Sequence, residues 1–318
     1  MQFRTQFSID SQEPKIDHTS RIFLTGSCFV ENIGAKLDYY KFQNLQNPFG
    51  ILFHPAAIEK FITNAVNENQ YSREDIFFHN ERWHCFDAHS ALSSPDEVAL
   101  LKSLNRNLQK TREYLQESTH VIITLGTSWV YRNMSSAETV ANCHKLPQKN
   151  FSKEITGVEQ IYNHLKSTIS AIKRVNSQAE IVFTISPVRH LKDGVIQNQR
   201  SKAHLIAALH KVMETQGKYG LASYFPAYEL MMDDLRDYRF YTEDMLHPND
   251  TAIEYIWQKF VDSRISPESV PLLKEIESIQ KSLKHKAFNS DSESHKNFRK
   301  SLETKIHQLQ KKYPHLNF

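Results

Sequence analysis

Hydrophobic positions in the first 260 residues follow two periodicities that alternate along the chain. Short apolar runs predict β-strands over residues 21–25, 39–43, 119–125, 179–186 and 222–226. Apolar residues three or four positions apart predict helices between them, over residues 29–38, 55–67, 96–117, 156–176, 198–216 and 250–262. The nearly continuous apolar runs are typical of strands buried on both faces of a parallel sheet. The pattern therefore predicts an α/β fold, a three-layer α/β/α sandwich around a central, mostly parallel sheet.

The end of the chain has a different pattern. Apolar residues at helical spacing form two stripes there: Leu272, Leu273, Ile276, Ile279 and Leu283, then Phe298, Leu302, Ile306 and Leu309. A polar segment, residues 289–294, separates them. We therefore expect a main domain over residues 1–263 and a C-terminal helical extension over residues 264–318. Because two short helices bury too little surface alone, the pair at 268–312 should dock on this chain or across a homodimer.

Composition excludes several classes of protein. The chain has 318 residues, 40% hydrophobic and 24% charged, which is ordinary for a globular protein with a core. A net charge of +3 gives no indication of a nucleic-acid partner. There is no apolar run of the ~18 residues that a membrane span needs, and no signal-peptide pattern at the start. Three cysteines suit a reducing compartment, so the sequence predicts a cytoplasmic protein.

Chemically suggestive residues stand where predicted strands end. The strand over residues 21–25 stops at Gly26-Ser27, and later strands end just before Gly126 and at Ser186. Because ligands bind outside the carboxyl ends of parallel strands, these segments should meet at one rim of the sheet.

The pattern Asp244-x-x-His247 completes a candidate hydrolytic triad. A serine hydroxyl is a poor nucleophile until an imidazole removes its proton, and a carboxylate must orient that imidazole. We assign these roles to Ser27, His247 and Asp244. Cys28 is the rival nucleophile, since a thiol at a helix N-terminus can be activated, although free cysteine is usually a small buried residue.

Five blocks carry a family resemblance, in this order: Gly26-Ser27-Cys28-Phe29-Val30, Asn47-Pro48-Phe49-Gly50, Leu125-Gly126-Thr127-Ser128-Trp129-Val130-Tyr131, Ser186-Pro187-Val188-Arg189-His190 and Asp244-Met245-Leu246-His247-Pro248. The set resembles the GSCFA family, with Val30 in the place of the alanine. That family is similar to the SGNH (GDSL-like) hydrolase superfamily, which implies a flavodoxin-like sandwich. The resemblance also implies ester or acyl chemistry, often on carbohydrate.

The resemblance further implies an oxyanion hole. Its donors would be the backbone N–H of Ser27, the N–H of Gly50 and an asparagine side chain from the third block. Ser128 stands where that asparagine is expected, so Thr127, Ser128 or Asn47 would have to replace it.

Residues 83–90, Trp83-His84-Cys85-Phe86-Asp87-Ala88-His89-Ser90, contain side chains that could bind zinc. Their spacing matches no established zinc site, and we expect neither a metal nor a cofactor. In a substrate cleft, Asp87 and His89 could bond sugar hydroxyls. Trp129, Arg189 and His190 are further candidates for substrate contact.

The sequence thus predicts a serine esterase that removes a small acyl group from a carbohydrate-type substrate. An O-acyltransferase would use the same triad, since the acceptor alone distinguishes the two. A third hypothesis is a glycan- or protein-binding module that keeps the fold without fast catalysis.

Overall fold

The computed structural model describes residues 6–285, 292–314 and 316–318. This part of the chain contains ten strands and nine α-helices. The strands are β1 (Arg21–Gly26), β2 (Gln43–Gln46), β3 (Ile76–His79), β4 (Arg82–Cys85), β5 (His120–Leu125), β6 (Trp129–Asn133), β7 (Thr139–Val140), β8 (Phe151–Ile155), β9 (Glu180–Ile185) and β10 (Ser223–Phe225). The helices are α1 (Phe29–Tyr39), α2 (Pro55–Val66), α3 (Glu97–Glu117), α4 (Val158–Val175), α5 (Val195–Thr215), α6 (Ala227–Glu229), α7 (Asp250–Arg264), α8 (Val270–Lys284) and α9 (Glu293–Lys312).

The central sheet is parallel and has five strands in the spatial order β2-β1-β5-β9-β10. Numbered by their order along the chain, these strands run 2-1-3-4-5, which is the flavodoxin-like arrangement. All five point the same way, so the segments that follow β1, β5 and β9 meet at one edge. The predicted α/β sandwich with a mostly parallel sheet is confirmed.

Alternating side chains of the strands divide the core into two clusters, one on each face of the sheet. Phe23, Ile123 and Phe183 point to the face covered by α2, α3, α4 and α5. Leu24 and Val182 point to the opposite face, which is covered by α1, α7, α8 and α9. We call these the first and the second face. Helices on both sides complete the three layers.

The C-terminal helices dock on this chain. Leu272 and Ile276 of α8 and Leu302 and Leu309 of α9 are buried in the core of the second face. Gln280 also donates a hydrogen bond to the carbonyl of Tyr39 at 3.1 Å. The predicted helical appendage is therefore confirmed, while a homodimer through it stays a prediction. Residues 289–291 of the predicted polar segment lie outside the described residues, and Ser292 caps α9.

One predicted strand is wrong. Residues 39–43 do not form a strand, because α1 ends at Tyr39 and the chain turns at Lys41 with a φ of 64°. The apolar side chains there serve packing, and Tyr40 stacks on Trp257 with 5.5 Å between ring centroids. The second strand of the sheet begins only at Gln43.

Two small antiparallel sheets were not predicted. β3 and β4 form a hairpin, and β6 pairs with both β7 and β8. The second of these sheets stands beside the carboxyl edge of the main sheet, because β6 follows β5 after only three residues. No helix in the described ranges has the length and apolar character needed to cross a membrane.

Candidate functional site

Cys28, rather than Ser27, lies beside the predicted histidine. The Cys28 Sγ atom is 3.9 Å from Nε2 of His247, and Nδ1 of the same ring is 2.6 Å from Oδ2 of Asp244. A thiol, an imidazole and a carboxylate are thus joined in a row. This is the order of groups in a catalytic triad whose nucleophile is a thiol.

Ser27 is fully buried, and its hydroxyl makes no hydrogen bond within the described part of the chain. Its backbone N–H bonds the carbonyl of Thr124 at 3.0 Å, which prolongs the ladder between β1 and β5 by one residue. A Cβ built at Gly126 would lie 3.1 Å from Ser27 Cβ, so this side chain packs against the end of β5. The predicted nucleophilic role of Ser27 receives no support from this geometry.

The turn that presents His247 is built by Asp244. Its Oδ1 accepts hydrogen bonds from the N–H groups of Leu246 and His247 and from the Thr242 hydroxyl, at 2.8, 3.0 and 2.7 Å. Met245 has a φ of 60° inside this turn. The bond from the His247 amide, the Thr242 hydroxyl, the Leu246 amide and the His247 ring together hold the pKa of Asp244 well below its usual range. Asp244 is therefore a carboxylate at neutral pH.

Neighbouring residues support this turn. The Arg189 amide donates to the Leu246 carbonyl at 3.2 Å, and the Arg189 guanidinium lies 4.3 Å from the Tyr241 ring centroid. Asn249 then caps α7, accepting a hydrogen bond from Ala252 at 3.1 Å. Of the residues predicted to contact substrate, Arg189 thus supports the loop that carries His247.

Burial raises the pKa of the Cys28 thiol, and the charge of Glu31 raises it further. Lys202 and the backbone amides of Cys28 and Phe29 act in the opposite direction. These amides stand at the start of α1, where N–H groups have no partner within the helix. The resting site therefore holds a protonated thiol beside the His247 ring, with the amides of Cys28 and Phe29 directed at the sulfur.

The predicted oxyanion donors are mostly occupied. The N–H of Gly50 bonds Asn47 and that of Thr127 bonds Phe53, at 2.7 and 3.0 Å. Ser128 is fully buried and directs both its amide and its hydroxyl to Ser201.

Asn47 is the exception among these predicted donors. Its Oδ1 accepts from the Gly26 amide at 3.0 Å, while its Nδ2 is buried without a partner in the described structure. Asn47 therefore keeps an uncommitted donor next to the β1 turn.

A cleft of about 520 Å³ opens beside the site. Its walls are mainly apolar and include Phe53, Trp129, Tyr131, Val140, Leu146 and Phe151. His190 stands at the junction, because it lines the cleft and also lies close enough to His247 to be repelled by it. Burial, Lys202 and His247 lower the pKa of His190 to about 3, so its ring is neutral at physiological pH.

Trp129 lines this cleft as predicted for a substrate contact, but Asp87 and His89 do not. Asp87 instead pairs with Lys60 at 2.9 Å and accepts from the Tyr71 hydroxyl at 3.2 Å. The His89 side chain packs against Gly50 and accepts from Ala91 at 3.3 Å. In the described ranges, no three His, Cys, Asp or Glu residues gather into a group that could hold a metal ion.

The fold and this row of side chains define the class of protein: an α/β sandwich with a thiol, an imidazole and a carboxylate at the carboxyl edge of its sheet. The chain belongs to the GSCFA family, whose profile matches residues 21–260. A profile of the C-terminal domain of GSCFA domain proteins matches residues 276–318. The predicted family membership is confirmed.

No curated protein matches the chain. Among solved structures, a carbohydrate esterase family 3 protein from Talaromyces cellulolyticus is 8% identical, with 80% of this chain and 99% of that chain covered and a TM-score of 0.37. An acetyl xylan esterase from the rumen bacterium Butyrivibrio proteoclasticus is 10% identical, with 78% and 63% covered and a TM-score of 0.38. The chemistry of the site has to be judged on its own geometry.

Proposed function

We propose that the protein is an ester hydrolase whose nucleophile is the Cys28 thiol, with His247 as general base and Asp244 as the group that orients it. One observation supports this above the others: Sγ lies 3.9 Å from Nε2, while Nδ1 of the ring is 2.6 Å from a carboxylate oxygen. The serine mechanism expected from the sequence is replaced by its thiol counterpart.

The reaction has two halves. His247 Nε2 takes the thiol proton while Sγ bonds to the carbonyl carbon, and the carbonyl oxygen becomes an oxyanion. We assign the stabilisation of this charge to backbone amides at the start of α1, with Asn47 Nδ2 as a further donor. The tetrahedral intermediate collapses to a thioester on Cys28, and the imidazolium protonates the departing alcohol. Water, deprotonated by His247, then releases the carboxylic acid and restores the thiol.

Hydrolysis is favoured over acyl transfer by the openness of the base. The His247 side chain is 46% exposed, so water can reach the thioester from the side of the imidazole. A transferase has to keep water from its acyl-enzyme, which requires a closed cleft. We therefore place the O-acyltransferase second.

The cleft favours an ester with an apolar or aromatic part. Its aromatic walls offer hydrophobic contact, but Lys153 lies 5.2 Å from the Trp129 ring centroid and 5.3 Å from that of Tyr131. A sugar ring would have to displace this lysine before it could stack there. The expected carbohydrate substrate thus remains a proposal that acetylated sugars should test beside simple esters.

Acyl-enzyme trapping tests the proposed nucleophile. Purified protein would be mixed with p-nitrophenyl esters of two to eight carbons and with acetylated sugars, then acid-quenched and analysed by peptide mass spectrometry. We expect one acyl group on the peptide that contains Cys28, and none in Cys28→Ala. Cys143→Ala is the matched control, because this half-buried cysteine lines the neighbouring cleft but should not carry the acyl group. An adduct on Ser27 or Cys143, or neither adduct nor turnover with any ester, would overturn the proposal.

A further inference from the structure

A buried lysine stands beneath the thiol site. Lys202 of α5 is 1% exposed, and its ammonium group donates to the carbonyls of Gly126 and Ser186 at 2.8 and 2.7 Å. These carbonyls follow β5 and β9, which are neighbours in the sheet. Lysine is almost never fully buried unless it is paired, and no carboxylate bonds Lys202 in the described structure.

The two carbonyls belong to segments that shape the site. Gly126 packs against Ser27, directly before Cys28, and Ser186 opens the segment that leads to Arg189 and His190. A lysine that bonds both carbonyls fixes the end of β5 relative to the end of β9. Two neutral acceptors hold its position without cancelling its charge.

We propose that Lys202 is a positioning residue of the thiol site, which fixes these two strand ends and whose positive charge stabilises the Cys28 thiolate as it forms. This rests on the proposed role of Cys28 as the nucleophile. Lys202 touches neither the substrate nor the reacting atoms, so its effect passes through the neighbouring residues and through the electric field.

Several charged and titratable groups face Lys202 and Cys28. Glu31 of α1 opposes thiolate formation, while His190 and His247 approach from the segments after β9 and before α7. The Tyr228 ring lies 5.6 Å from the Lys202 ammonium on the remaining side. Among these groups Lys202 supplies the positive charge that lowers the pKa of Cys28.

The expected pH dependence follows from the sign of two shifts. Burial lowers the pKa of Lys202 to about 7, and the Cys28 thiolate acts to raise it. The ammonium charge is therefore present below pH 7 and is lost as the pH rises through that value. Its help to the thiolate should be greatest in mildly acidic solution and should vanish well above neutrality.

The rate at which Cys28 is alkylated measures the effect of the Lys202 charge on the thiolate, and no substrate is needed. The rate of iodoacetamide labelling would be followed at the Cys28 peptide by mass spectrometry from pH 6 to pH 9, in wild type and in Lys202→Met. We expect Lys202→Met to react about tenfold more slowly at pH 6, the lower end of what a close opposite charge contributes. The two rates should converge towards pH 9.

Glu31→Gln is the matched control, because it changes the field at the same thiol from the exposed side of α1. Cys28 of Glu31→Gln should be alkylated faster than Cys28 of wild type, and the two rates should still differ near pH 9. A ratio of wild-type to Lys202→Met rates that stays the same at all pH values would reduce Lys202 to a structural residue and overturn the inference. Absence of ester turnover would instead count against the proposed function, since alkylation does not depend on it.

A wild-type measurement covers the case in which Lys202→Met fails to fold. The labelling rate of wild-type Cys28 would be measured at closely spaced pH values from about pH 5.5 to pH 9. Because coupling between two sites is reciprocal, loss of the Lys202 charge near pH 7 should raise the pKa of Cys28, so the rate should rise by less than about tenfold per pH unit across that value. A rise of about tenfold per pH unit that continues unchanged through pH 7 would also overturn the inference.

Discussion

Replacement of Ser27 by alanine should stabilise the protein and leave the chemistry of Cys28 intact. Ser27 is fully buried, and its hydroxyl has no hydrogen-bond partner in the described structure. A buried polar group without a partner costs about 1–3 kcal/mol. Alanine removes that cost and leaves a gap of only one oxygen atom, so we expect the free energy of unfolding to rise by about 1 kcal/mol. A domain of this size would then melt about 2 °C higher.

Ser201→Ala is the control for this substitution. Ser201 is also buried, but its hydroxyl accepts from the Ser128 amide at 2.8 Å and lies 2.9 Å from the Thr127 hydroxyl. Its removal leaves the buried Ser128 amide without its acceptor, while the Thr127 hydroxyl keeps only the bond from the Trp129 amide at 3.1 Å, and should destabilise the protein by about 1–3 kcal/mol. The same kind of substitution is thus expected to have opposite signs at two buried serines.

Calorimetry and acyl-enzyme trapping on the same samples show whether the Ser27 hydroxyl destabilises the fold and whether it takes part in catalysis. Ser27→Ala should melt higher than wild type, Ser201→Ala lower, and Ser27→Ala should acquire the acyl group on Cys28 at a rate within about threefold of wild type, since no transition-state contact is lost. If Ser27→Ala melts lower, the Ser27 hydroxyl stabilises the folded protein and is not an unpaired polar group. If it melts higher but forms no acyl-enzyme, Ser27 is the nucleophile and the assignment of Cys28 is wrong.

Two substitutions, a pH titration and a truncation test the scaffold of the site. Asp244→Asn should slow acylation by about 10²–10⁴-fold, the range that a positioned base supplies. Melting should change little, because asparagine keeps an oxygen that accepts the hydrogen bonds of the turn. In wild type the depressed pKa of Asp244 keeps the turn's hydrogen bonds intact as the pH falls through the usual aspartate range, so circular dichroism should show no local transition near pH 4. Gly26→Ala should cost more than about 3 kcal/mol in urea denaturation, because φ is +134° and the new Cβ would lie 2.1 Å from the Thr124 carbonyl oxygen. Truncation after Arg264 exposes the core of the second face and should lower the melting temperature markedly; equal melting would refute the docking of α8 and α9.

Elements with strong periodicity were predictable from sequence because burial leaves a regular trace. The strand after Thr119 is mostly apolar and buried throughout, and α3 repeats its leucines at Leu100, Leu104 and Leu108, so both were placed within a residue or two. The β6–β8 sheet was missed because its strands are short and only partly buried. Its position beside the cleft depends on tertiary contacts, which no local pattern reports.

The residues of the candidate site were likewise predictable only in part. Asp244 and His247 lie within one turn, so their pairing could be inferred from spacing alone. Lys202 was missed, although a signal existed: it stands on the same helical stripe as Leu205 and Leu209, which face the core of the first face. A lysine at such a position is predicted to be buried, and a buried lysine near strand ends is a candidate for function.

Strand parity, together with the position of α7, separates Ser27 from Cys28. Side chains alternate along β1, so Phe23 points to the first face and Leu24 to the second. Ser27 continues the ladder in the same phase as Phe23 and packs towards Gly126. His247, however, lies three residues before the start of α7, which covers the second face.

A nucleophile has to emerge on the side of its base, and Ser27 points the other way. Cys28 is the first residue beyond the ladder, at the start of a helix that also covers the second face. The position of α7 relative to the sheet therefore favours the proposed thiol nucleophile over Ser27, whose side chain is buried.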